Sequence, residues 1–176
     1  MSNLTDKINQ IGFDKFAEVN LGQIVFDTVF RKLCEDNVCR SYGTNYMCPP
    51  HIGEVEECIA KVKKYPKGWL LQSIVQLEDS FDFEGMMEGQ KEHDRRIREL
   101  AEFLKVKGDY LILGAGPCPQ CAECGAVKRT PCPRPGEAIS SVEAHCIDVM
   151  KTVTNAGLKY NNGEATVSYI GMVLTK

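Results

Sequence analysis

The chain has 176 residues, of which 43% are hydrophobic and 26% charged; this is the make-up of an ordinary soluble globular protein long enough for one domain, taken as residues 1–176. A formal net charge of -3 gives no general pull toward nucleic acid or an anionic membrane. Nine cysteines, an odd number and about 5% of the chain, argue against a disulfide scaffold.

The first residues, MSNLTDKINQIG, lack the apolar core and cleavage site of a signal peptide. No apolar run approaches the roughly 20 residues that span a bilayer. The expected location is cytoplasmic, where thiols stay reduced. An opening helix is predicted over residues 3–11, with Ser2 or Thr5 as cap. GQIVFDTVF (22–30) reads equally as strand or helix. The stretch from Cys34 to Pro50 is rich in Cys, Pro, Gly and Asn and reads as a ligand loop. EVEECIAKVKKY is helical, with Val55, Ile59 and Val62 on one face and Pro66 and Gly68 ending it.

GWLLQSIVQL has the length and apolar content of a strand. MMEGQKEHDRRIRELAEFLKVKG is the strongest helix, with Ile97, Leu100, Ala101 and Leu104 as its apolar stripe. Glu92–Arg96, Asp94–Arg98 and Arg98–Glu102 are opposite-charge pairs at i,i+4 on its wet side, and Gly108 stops it. DYLILGAG is a short buried strand running into a Cys-rich loop. Ser140 with Glu143 forms a capping-box pattern that opens a helix to about Asn155, closed by Gly157. ATVSYIGMVLT is a last strand. Helices alternating with strands give an α/β or α+β fold: a mixed sheet flanked by helices, carrying two Cys-rich metal-binding loops. Sites in such folds gather at strand ends, and Gly114 to Cys118 is one.

The cysteines fall into two groups: Cys34-x4-Cys39-x8-Cys48-Pro49-Pro50, and Cys118-x2-Cys121-x2-Cys124-x7-Cys132-Pro133. A single C-x2-C is shared by zinc ribbons, redox motifs and clusters. The triple C-x2-C-x2-C is more selective, because three thiolates on one tight loop can each take a different iron of a cubane. Zinc gathers four ligands at one point, usually as two separated pairs. Pro after Cys48 and Cys132 supplies no amide hydrogen and fixes the turn. Gly114, Gly116 and Gly125 let backbone approach a cluster closely. Lys128, Arg129 and Arg134 read first as a solvated loop surface.

Two [4Fe-4S] clusters follow from the counts, with the fourth ligand of the first group left open between Cys58, Cys132 and a free iron site. Cys58 lies on a predicted helix and reads as a buried structural thiol. Cys146 reads as core, His145 as a capped or exposed residue. His51 and His93 repeat no ligand spacing. Trp69, Phe81 and Phe83 read as core. Glu143, Asp148 and Asp109 read as structural carboxylates. GAGPC is not a dinucleotide fingerprint, lacking the third glycine.

The blocks GAGPCPQCAEC and PCPRPGEAISSVEAHCIDVMKTVTNAGL, with CRSYGTNYMCPP upstream, resemble the predicted metal-binding proteins of domain of unknown function 2284. That family's pattern runs GAGPC-x2-C-x2-C, PCR-x-P and S-M-E-A-x-GIDV. The resemblance covers about Cys34 to Leu158. It implies cysteine-ligated metal, iron–sulfur ahead of zinc, in anaerobic bacteria and archaea. The implied ligands are Cys39, Cys48, Cys118, Cys121, Cys124 and Cys132, with Cys34 as upstream partner. Pro133 departs from the usual Arg, and His145-Cys146 replaces the segment before IDV.

Three functions are compatible with these residues. An electron-transfer protein or redox partner uses the cluster ligands and needs no substrate pocket. An enzyme would use a cluster with an open iron on a small molecule, and no acid–base pair stands out to serve it. A zinc-stabilised binding module is the third. The first is preferred, with a redox protein as partner. A homo-oligomer sharing a cluster across an interface stays open.

Overall fold

A computed structural model describes residues 3–176. Five strands form one mixed sheet in the order β1-β2-β5-β3-β4. They are β1 (Lys15–Asn20), β2 (Lys67–Gln76), β3 (Tyr110–Gly114), β4 (Ser140–Ser141) and β5 (Thr166–Thr175). All neighbours are antiparallel except β3 and β4, where Leu113 and Gly114 face Ser140 and Ser141 in parallel. The fold is therefore the expected mixed α and β class.

Both faces of the sheet are covered, which explains why the central strands read as unbroken apolar runs. On one face, Leu71, Ile112 and Val173 pack with Ile8 and Ile11 of α1 (Leu4–Ile11) and with Ile97, Leu100 and Leu104 of α4 (Phe83–Leu104). On the other, Leu70, Leu111, Leu113, Met172 and Leu174 pack with Val62 of α3 (Val55–Lys63) and with Val149 and Val153 of α6 (Val149–Asn155). The period-2 alternation of strand side chains sends neighbours such as Leu70 and Leu71 to opposite cores.

Local chemistry sets the helix ends. Asn3 caps α1 by accepting from Thr5 N, so Thr5 is inside the helix; Ser2 lies outside the described residues. The ambiguous 22–30 segment is neither one strand nor one helix: a 3₁₀ turn at Leu21–Gln23, an isolated bridge from Phe26 to Ile147, then α2 (Val29–Glu35). Gly68 lies inside β2 rather than ending α3. A Cβ there would sit 2.1 Å from Val173 O, so only glycine lets β2 and β5 approach.

The helix predicted from Ser140 begins only at Val149. Ser140 and Ser141 instead form β4, a 3₁₀ turn follows at Glu143–His145, and Asp148 caps α6 by accepting from Lys151 N at 2.9 Å. On α4 the Glu92–Arg96 pair is present at 3.1 Å. Asp94 is instead buried, and Arg98 donates to Pro119 O at 3.3 Å, tying α4 to the loop beyond β3. Phe81 and Phe83 are exposed, contrary to the core reading, whereas Trp69 packs partly against the α4 core. No helix among the described residues is long and apolar enough to cross a membrane.

Candidate metal centre

Two irregular segments meet beyond the end of β3. One runs from 115 to 139 and contains only the short α5 (Gly125–Lys128); the other, 36 to 54, links α2 and α3. Asn45 Nδ2 donates to Cys118 O at 3.3 Å, and Tyr46 OH donates to Thr130 O at 2.8 Å. Tyr46 N donates to Cys124 Sγ at 3.4 Å. Backbone N–H groups aimed at cysteine sulfur are what tune a thiolate-held metal.

Cys118, Cys121, Cys124 and Cys132 line one small, partly open cavity of about 20 Å³, with Tyr46 and Met47 of the other segment on its wall. Among the described residues no carboxylate or imidazole lines it. Gly125 holds the turn closed: a Cβ there would lie 2.6 Å from Thr130 O. Gly116, at φ 82°, takes the left-handed turn that brings the chain off β3 into the loop.

The two cysteine groups, separate in sequence, form one field of thiols. Burial first, then the charges of Cys39, Cys34, Cys118 and Cys124, push the Cys48 thiol up to about 12. Cys34 is raised by burial and then by Cys39. Thiols packed this way stay protonated until a cation offsets their mutual repulsion, so metal binding here would release protons. No three His, Cys, Asp or Glu side chains among the described residues are grouped as ligands of a single ion. Ligands of a cluster reach different irons and stand farther apart than ligands of one zinc. The donor set and its N–H···S contact fit a thiolate-held metal.

Residues 17–175 match the family model described as predicted metal-binding protein (DUF2284). The chain belongs to this family. No curated protein and no solved structure matches it significantly.

The DUF2284 chain places other candidates away from this field. Cys58 and Cys146 are buried, 3% and 0% exposed. His51 Nε2 lies 3.3 Å from Gly43 O, with its ring edge-on to Tyr46. Lys128 pairs with Glu123 on the loop surface, as the solvated reading expects, whereas Arg134, paired with Glu137, also lines the thiol cavity. Asp109 accepts from Tyr65 OH at 2.7 Å and pairs with Lys176, so its role is structural.

Three buried groups were not legible as such. His93, on the charged helix α4, is wholly buried, its Nδ1 2.8 Å from Ser73 Oγ. His145 is 1% exposed rather than solvated, with its Nδ1 3.2 Å from Ser141 O. Arg31 is 8% exposed. The apolar spacing of α4 gives a faint signal for His93, which stands four residues before Ile97 on the core face. Nothing in the pattern around Arg31 marks it as buried.

Proposed function

We propose that this protein binds an iron–sulfur cluster in the thiol field of Cys39, Cys48, Cys118, Cys121, Cys124 and Cys132 and passes electrons to a protein partner. One observation carries the reading: segments about seventy residues apart converge so that thiols of both lie within electrostatic reach of Cys48, while Tyr46 N donates to Cys124 Sγ. Such a shell supplies soft thiolates and amide donors, the environment that holds a cluster and sets its potential. When bound, the cluster supplies one-electron chemistry. The chain's own part is to wall it with Tyr46, Met47 and Pro133 and to limit water at the sulfur ligands.

The cavity holds little more than one water-sized sphere. That size favours a second reading, a single zinc ion with a purely structural role. The test is iron, acid-labile sulfide and zinc per chain on protein purified without oxygen, with the visible spectrum and a reductive titration. Iron and sulfide in equal amounts, bleached by reductant, support the carrier reading. Zinc without sulfide overturns it.

A further inference from the structure

β3 is only partly covered on its outer edge. On one side it pairs with β5 from Tyr110 to Leu113, whereas on the other β4 meets only Leu113 and Gly114. Tyr110, Leu111 and Ile112 therefore have no strand beside them on the β4 side. Val142 N donates to Gly114 O at 3.1 Å, so Gly114 directs its backbone toward that side. Alternate residues of a strand direct their N–H and C=O groups the same way, which turns Ile112 and Tyr110 outward as well. Among the described residues, no loop supplies a partner for Ile112 N–H or for either backbone group of Tyr110. Bare groups on a strand edge are a template on which another extended chain can pair.

That edge is the floor of a cavity of about 490 Å³. α4 walls it over one face of the sheet with Arg98 and Ala101, and α3 over the other with Lys61 and Tyr65. Residues 136–139 form its outer bank. The lining carries five cations and three carboxylates. Each carboxylate is already matched: Glu99 by Lys7 and Arg95, Glu102 by Lys105, and Glu137 by Lys105 and Arg134. Lys61 and Arg98 form no ion pair among the described residues. Arg98 Nη1 donates to Pro119 O, and its other guanidinium N–H groups meet no acceptor among the described residues. The unmatched charge of the groove is therefore positive, and it stands over both faces of the sheet. The groove also adjoins the thiol field, because Gln120, Arg134 and Ala138 line both it and the thiol cavity.

We propose that the open edge of β3 is a docking strip for an extended acidic segment of a protein partner. The segment adds a short strand beside Tyr110–Ile112. Neighbouring residues of a strand point to opposite faces, so carboxylates at adjacent positions meet Arg98 over one face and Lys61 over the other. Main-chain bonds supply affinity, and the two charges supply the choice of sequence. So short an edge makes a small contact, suited to a partner that binds briefly beside the cysteine-bearing loop and leaves. Identifying that partner as the electron acceptor rests on the carrier reading; the docking itself does not.

The test uses the full chain purified without oxygen, with iron and sulfide measured on the same sample, and a labelled, blocked peptide of sequence VTEEVT. Fluorescence anisotropy reads affinity, and hydrogen exchange with mass spectrometry reads location. The peptide should bind and slow exchange at residues 110–112. Replacing both of its glutamates by glutamine should weaken binding by about tenfold, and Arg98→Gln or Lys61→Gln by about threefold each. Lys61→Gln leaves the bond from Arg98 to Pro119 in place, so it reads the charge without disturbing the loop. Two further peptides carry N-methyl groups on one or the other alternate set of amides. Only one set faces β3 in an added strand, so one peptide should lose binding and the other keep it. Equal binding by both overturns the proposal, as does unchanged affinity of the glutamine peptide or protection confined to other residues. If glutarate alone protects 110–112 as well as the peptide does, the groove takes a small anion and the strand reading falls. If protection there rises with protein concentration alone, a second copy covers the edge and the proposal likewise falls. Binding by a chain that holds no iron and sulfide removes the carrier reading and leaves the docking strip standing; iron and sulfide without binding does the reverse.

Discussion

A buried cysteine and a ligand cysteine look alike until their neighbours are known. Cys121 lines the loop cavity and should be indispensable to it: Cys121→Ser, and likewise Cys124→Ser, is expected to remove the loop metal and loosen residues 115–139, because ligand geometry holds that backbone. Metal analysis with hydrogen exchange checks both effects. His93 gives a residue-scale prediction of a different kind. Burial first, then Arg96, holds its pKa down to about 3 from an ordinary 6.5. The unfolded chain therefore takes up this proton near pH 6.5 while the folded chain does not until about pH 3. The stability at stake is complete above 6.5 and is lost as pH falls through that window. Phe13, Tyr169 and Ser73 also face the ring and carry no charge near neutrality. Asp94, next in the chain, acts oppositely: burial raises it to about 6 from 3.8, so its contribution is present at low pH and is lost as pH rises through 6. The His93→Gln variant should lose about 1.4 kcal/mol per pH unit of the slope of unfolding free energy between pH 6 and 4. Urea melts of metal-free protein at several pH values measure it, and an unchanged slope would show that His93 titrates normally.

At the scale of elements, α4 lies close on the sheet because Gly89 has no side chain. A Cβ there would stand 2.5 Å from Val75 Cγ2 and 3.1 Å from the Tyr169 ring. Gly89→Ala should cost about 1–3 kcal/mol through overpacking, although alanine is the better helix former, and a lowered melting temperature reads it. Removing the α6 cap with Asp148→Ala should cost about 1 kcal/mol by the same measurement. These elements also show what a sequence can disclose. β2, β3 and β5 carry their apolar runs locally and are readable within a residue or two, whereas α4 is readable in its body but starts three residues earlier and ends four residues earlier than its sequence pattern suggests. Ser140 and Glu143 carry an equally good local signal for a helix start, yet the chain pairs Ser140 and Ser141 with Leu113 and Gly114. A capping box is a short-range pattern, and a strand partner nearly thirty residues away outweighs it. The cysteine spacing disclosed the ligand type and the members of each group. It could not disclose that Cys118 comes within electrostatic reach of Cys48, or that Cys58 meets Arg31, because both join distant segments. The CIDV written where the family pattern has GIDV was a visible trace of Cys146, but its meaning depends on the left-handed backbone there.

For the molecule as a whole, the sheet and the two cysteine-bearing segments draw stability from different sources. The sheet is held between two apolar cores, whereas the segments 36–54 and 115–139 have few buried apolar side chains. Stripping the metal with a chelator should therefore leave slow amide exchange at Leu70, Leu71 and Ile170 to Leu174 while exchange in the two segments accelerates by an order of magnitude or more. Loss of protection across the sheet at the same chelator concentration would mean instead that metal and fold are one cooperative unit. The strand order has a further consequence. β5 is the last strand in the chain yet lies between β2 and β3, pairing with β2 over all ten of its residues. On the ribosome, the sheet cannot close until residues 166–175 have emerged, and every one of the nine cysteines is made before them. All nine thiols are thus synthesised before the scaffold that gathers them, and the two cysteine segments reach their final places only after β5 has been made.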